Sequence, residues 1–171
     1  MIIDSHAYCY PPLGEANGLA SVEEHLRILQ REMADHHVPV VRLHDRVQAG
    51  DNSLLADPQD NSLEGLKDVD FRVGSHGRFE WTVDGVDYAK QYLPPYMVDL
   101  SHSPDMLVAQ MDYVGVDRAL LHVNAVLGLL NDYHVECVRK YPDRLMALVC
   151  IPEWKIESDP EGQLAEVERS Y

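Results

Sequence analysis

Two stretches decide the fold: Arg118-Ala-Leu-Leu-His-Val-Asn124 and Leu145-Met-Ala-Leu-Val-Cys-Ile151. Each is a short, continuous apolar run rather than an alternating one, the pattern of a strand in a parallel sheet. Between them, Leu130, Cys137, Val138 and Tyr141 follow helical spacing in a segment from about Leu129 to Lys140. Pro142 and Asp143 end that segment, because proline cannot continue a helix. Strand, helix and strand with short links predict a βαβ unit.

Upstream of this unit another helix is predicted. Ser103 suits an N-cap, Pro104 the first helical position, and Gly115 the end, with Leu107, Met111 and Val114 as its apolar stripe. At the start of the chain, Met1–Ile3 running into Asp4-Ser5-His6 reads as a third buried strand. Ser21-Val-Glu-Glu24 matches a capping box and opens a helix to about Asp35. Between Val38 and Pro95 the alternation of strand and helix breaks. A polar, turn-rich stretch (Asp51-Asn-Ser, then Asp57 to Asn61) leads to Phe71–Tyr88, where Phe79, Trp81 and Val83 alternate between glycine-containing turns. That pattern predicts a small antiparallel meander, inserted after the first strand. Near the end, Asp159 and Pro160 open a further helix with Leu164 and Val167 on its apolar side.

The 171 residues include 29 acidic and 14 basic side chains, a formal net charge of −15, and 46% of them are hydrophobic. Such a surface repels phosphate backbones, so a nucleic-acid partner is not expected. No apolar run approaches the ~18 residues of a membrane span. Met1-Ile2-Ile3-Asp4 has neither the basic nor the apolar part of a secretory signal, and Cys9, Cys137 and Cys150 are odd in number without a C-x-x-C spacing. A cytoplasmic protein with buried, inert thiols is the expectation.

Three residue groups carry a resemblance. The start Met1-Ile-Ile-Asp4-Ser5-His6-Ala7-Tyr8, the stretch Met111-Asp-Tyr-Val-Gly-Val-Asp-Arg-Ala-Leu-Leu121, and Tyr141-Pro-Asp-Arg-Leu145 with the strand ending Ile151-Pro152 resemble the amidohydrolase superfamily. The likeness is to its amidohydrolase-2 branch, which includes aminocarboxymuconate-semialdehyde decarboxylase. It covers roughly residues 1–14 and 103–171, not the insertion. The resemblance implies an α/β fold, the first part of a TIM-like (β/α)8 barrel, with the meander inserted at about 38–95 and residues 1–171 forming one incomplete domain. A full barrel takes about 250 residues, so a fragment or one part of a split protein is expected. It also implies a divalent metal, zinc, at the barrel mouth, held in the family by a His-x-His at the end of the first strand. Here that pair is His6 and Tyr8. A phenol coordinates only after losing a proton of pKa about 10, so Tyr8 is the weaker metal ligand of the two.

His122 and Asn124 stand two apart at the end of the second strand and so share a face, and Trp154 follows the third. All three are candidate substrate-binding residues, because (β/α) barrels place their chemistry at the carboxyl ends of strands. His36, His37, His44 and Asp45 fit no zinc spacing and read as surface residues at a helix end, where partly positive imidazoles suit the dipole. Arg42 and Arg46 read as surface residues as well.

Two functions of different class follow. One is a metal-dependent hydrolase of C–N or C–O bonds, or a related non-oxidative decarboxylase of a small carboxylated substrate. The other is a catalytically silent homologue, a subunit whose open strand edges pair with a companion chain or with copies of itself.

Overall fold

The computed structural model describes residues 1–50 and 54–170, and of Trp154 the backbone only. In chain order its elements are β1 (Ile3–Ala7), α1 (Val22–Asp35), β2 (Val41–Arg42), β3 (Arg72–Val73), β4 (Arg78–Val83), β5 (Val86–Gln91), α2 (Pro104–Val114), β6 (Arg118–Leu121), α3 (Asn131–Lys140), β7 (Leu145–Ala147) and α4 (Pro160–Ser170). The chain divides into two compact units, Met1–Pro11 with His102–Tyr171, and Pro12–Ser101.

The first unit is built on a three-stranded parallel sheet in the order β1-β6-β7. The strands expected near residues 2–6, 118–123 and 145–151 are therefore neighbours and parallel. Two of them end earlier than expected, β6 at Leu121 and β7 at Ala147, although His122 N–H still bonds the Ala7 carbonyl at 2.8 Å. The sheet is open among the described residues, a mixed α/β arrangement with no closed barrel.

The links between these strands follow the expected chemistry. Ser103 accepts from Met106 N–H at 3.2 Å and Pro104 opens α2. Gly115 closes α2 at φ 78, the left-handed region that glycine enters without a Cβ penalty. Tyr141 ends α3 just before Pro142. Ala7 and Cys9 pack with Leu107, Val108 and Met111 of α2, Ala119 and Leu121 of β6, Cys137 of α3 and Leu145 of β7 in one apolar cluster. Residues of both α2 and α3 enter this cluster, as two βαβ crossovers of the same hand require. One face is thus buried, while Ile3 and Met146 remain exposed. The α2 stripe is Leu107, Val108 and Met111; Val114, expected inside it, is exposed.

The second unit carries the expected antiparallel meander, four strands in the order β2-β5-β4-β3. Val83 faces Val86 across a two-residue turn, Asp84-Gly85, both at positive φ. That is the hairpin connection whose twist matches the strands. Phe79 and Trp81 are fully buried, as their alternation requires. This unit spans Pro12–Ser101 and includes α1. Ser21 caps α1 by accepting from Glu24 N–H at 3.1 Å, and Gln30 ties the helix to the Leu55 and Lys67 carbonyls. The stretch Asp51-Asn-Ser lies outside the described residues.

Candidate functional site

The carboxyl ends of β1 and β6 bring together His6, Tyr8 and His122, all within the first unit. The pairing register carries an irregularity between Asp4 and Ala7, where three steps along β1 match two along β6. An extra residue of this kind twists a strand and re-aims its side chains, and such bulges concentrate beside active sites. Ala7 and Leu121 are register partners turned into the core, so His6 and His122, adjacent to them in sequence, turn to the uncovered face.

On that face the two imidazoles stack, with ring centroids 4.2 Å apart and planes 10° from parallel. The Tyr8 hydroxyl lies 2.7 Å from His6 Nε2, a good hydrogen bond, and its ring meets His6 edge-on at 5.2 Å. His6 N–H bonds the Asp4 carboxylate at 2.9 Å, which fixes the backbone at the bulge.

The segment that follows β1 is held by a residue that sequence reasoning missed. His102 Nδ1 lies 2.7 Å from the Tyr8 carbonyl, and the backbones of His102 and Tyr10 exchange two hydrogen bonds at 3.0 and 2.9 Å. His102 precedes the N-cap of α2, so the start of that helix is tied to the loop that presents Tyr8. No local motif announces this, because the two residues are far apart in the chain.

The other predicted residues stand apart from the cluster. Asn124 is exposed and turns its Oδ1 back to Val126 N–H at 3.0 Å, the bond of a tight turn. Trp154 sits in a short 3-10 turn, Glu153–Lys155, and its side chain lies outside the described residues.

The histidines at the end of α1 are corrected in one respect. His36 and His37 stack at 4.5 Å, and burial, then its neighbour His37, lowers the His36 pKa. A cationic imidazole there is disfavoured. The helix terminus is served instead by Lys90, a fully buried residue of β5 whose Nζ donates to the Met33 carbonyl and to the His36 carbonyl at 2.7 Å. Desolvation pulls the Lys90 pKa down to about 8.

Catalytic zinc takes three protein ligands, usually nitrogen or carboxylate oxygen. The cluster offers two imidazoles and a phenol already bonded to one of them. Among the described residues, no three His, Cys, Asp or Glu side chains come together to hold a metal ion. His6, Tyr8 and His122 therefore do not fit a self-contained zinc centre. What they form is a stacked pair of imidazoles with the Tyr8 hydroxyl hydrogen-bonded to His6 at the strand ends.

The first unit is thus an α/β module with a His–Tyr–His cluster at the carboxyl edge of its parallel sheet. Comparison of the chain with protein-family models, with curated proteins and with solved structures finds no match.

Proposed function

We propose that the chain contributes the first-strand part of a hydrolase or non-oxidative decarboxylase site, in a barrel of the amidohydrolase kind that it resembles. The observation that carries this reading is the meeting of His6, Tyr8 and His122 on the uncovered face at the ends of adjacent parallel strands. The carboxyl ends of strands are where such folds bind and transform small molecules.

The residues act by proton transfer. In the hydrolytic case His6 or His122 takes the proton of a water as it attacks a carbonyl. In the decarboxylative case the carbon that loses carbon dioxide needs a proton, and the Tyr8–His6 pair supplies it. The hydrogen bond lets the proton sit on either partner. When Tyr8 donates, His6 carries its proton on Nδ1; when His6 donates, the phenol is free to bond a substrate oxygen. His102 keeps Tyr8 in place and touches neither reactant. A zinc ion would need ligands beyond these three residues, and no step here depends on one.

The test combines metal content and turnover. The chain, with His6→Ala, Tyr8→Phe and Tyr8→His, is dialysed against zinc and assayed with small carboxylated aromatic compounds and with amides and esters. Loss of turnover by roughly 10²-fold or more in His6→Ala, the scale of a lost acid–base group, is expected. Substoichiometric zinc that becomes stoichiometric in Tyr8→His would support a degenerate family site. Unchanged turnover in His6→Ala ends the enzyme reading of this cluster.

A second reading is favoured by the open sheet. Among the described residues, β1 and β7 each pair on one side only. A cavity of about 370 Å³ is lined by Val135, Val138 and Arg139 of α3, by Ala147 to Val149 and by Arg169 of α4, and the outer edge of β7 has no strand partner among the described residues. A companion chain, or a copy of this one, adding a strand there would make the chain an assembly subunit.

A further inference from the structure

The carboxyl end of α1 carries a cluster of titratable groups, all within the second unit. The His36 and His37 rings stack at 4.5 Å, and the Tyr92 ring meets His36 edge-on at 5.0 Å. His36 is the C-cap of α1, its N–H bonded to the Glu32 carbonyl at 2.9 Å. Its ring closes the turn that follows, with Nδ1 3.3 Å from Val38 N–H. A backbone N–H only donates, so Nδ1 is the bare nitrogen of a neutral imidazole. Lys90, fully buried on β5, reaches the same turn and donates to the Met33 carbonyl and, at 2.7 Å, to the His36 carbonyl. The turn leads through buried Val40 into β2, which pairs with β5.

We propose that His36 is an acid-released latch: a proton on Nδ1 removes the acceptor for Val38 N–H and frees the segment between the end of α1 and β2. A protonated imidazole donates from both nitrogens and has no lone pair left for Val38. Burial, then the neighbouring His37 ring, hold the His36 pKa below that of a free imidazole, and the Lys90 ammonium adds to them. Glu32, one turn back on α1, works the other way, and Asp35 favours the charge on Lys90. Above about pH 6.5 the ring is neutral whether the turn is closed or open, and the latch holds fully. Below that value the open turn takes a proton that the closed turn resists, so the open form gains population until the closed ring is protonated as well. Lys90, with its pKa of about 8, is largely charged through this window. The latch stands apart from the His–Tyr–His cluster and does not depend on any activity there.

The experiment is amide hydrogen exchange of the 171-residue chain at pH 7.5 and 5.5, each rate divided by its intrinsic value at that pH. Protection of the peptide spanning residues 36–42 should fall by roughly three- to tenfold at the lower pH, while the β4–β5 hairpin keeps its own. In His36→Asn the side-chain oxygen still accepts from Val38 N–H but takes no proton, so the fall should disappear with the protection at pH 7.5 retained. In His37→Asn the fall should persist and be smaller. The His36 ring resonances should titrate with a midpoint below pH 6.5 in the parent. Unchanged protection in the parent, an equal fall in His36→Asn, a fall abolished only in His37→Asn, or a midpoint at or above 6.5 overturns the proposal.

Discussion

At the scale of single residues, the buried polar groups set the sharpest expectations. Asn131 bonds the Cys150 backbone as donor and acceptor, at 2.8 and 2.7 Å, and also donates to Glu166 at 2.7 Å. Asn131→Ala leaves buried groups unpaired and should lower stability by about 2–3 kcal/mol. Asn131→Asp should cost more at neutral pH, since it aims a carboxylate oxygen at the Cys150 carbonyl and the Glu166 carboxylate. Urea unfolding of both variants checks the order; a milder effect for the aspartate would show that the amide is not the clamp. His134 is buried, with Nε2 bonded to the Cys9 carbonyl at 3.0 Å, and burial lowers its pKa. Above about pH 6.5 the ring is neutral folded and unfolded, so it adds no pH dependence. Below that value the unfolded chain takes a proton that the folded chain resists, and stability falls. The slope of unfolding free energy between pH 7 and 5 should therefore be shallower in His134→Gln than in the parent. Lys90 acts in a higher window. Its pKa of about 8 lies below the free value, so its penalty is absent above about pH 10.5, grows as pH falls, and is complete below 8.

At the scale of elements, termini are where local chemistry is separable from packing. Gly115 holds φ 78, and a Cβ built there meets nothing within 4 Å. Gly115→Ala should therefore cost about 1–2 kcal/mol through backbone strain alone, and a D-alanine at the same position should restore stability. Ser21→Ala should cost about 1 kcal/mol through loss of the bond to Glu24 N–H. Thermal unfolding of the two variants gives both numbers. These elements were readable because caps, proline and glycine act within a few residues of one another. Ser21, Ser103, Pro104, Gly115 and Pro142 each mark a boundary, and the structure places the corresponding helix ends there. The strands were read less well at their ends: Val149 to Ile151 are as apolar as Leu145, yet β7 stops at Ala147. Asn131 holds the Cys150 backbone in place of a strand partner, and that bond spans a distance no local window covers.

At the scale of the whole molecule, the open parallel sheet and the exposed apolar residues Ile3, Met146, Leu148 and Leu164 predict association. Sedimentation at micromolar concentration should show dimers or larger species, and Met146→Lys with Leu148→Lys should shift them toward monomer. A single monomeric species in the parent would count against the subunit reading.

The sequence alone determined the kinds of element, their order, the parallel pairing of the three apolar strands and the antiparallel hairpin at Asp84-Gly85. Those features follow from periodicity, capping and turn chemistry, which act over a few residues. It also pointed to His6, Tyr8 and His122 through their places at strand ends. Only the tertiary structure decided that His122 stacks on His6, that Tyr8 bonds Nε2, that His102 holds the Tyr8 carbonyl and that Asn124 turns back on its own loop. Only it brought Cys9 and Cys137 into one apolar cluster and set Lys90 at the end of α1. Each of these contacts joins residues whose distance in the chain carries no trace of their distance in space. Each depends on a bulge, a crossover or a register that packing settles after the elements exist.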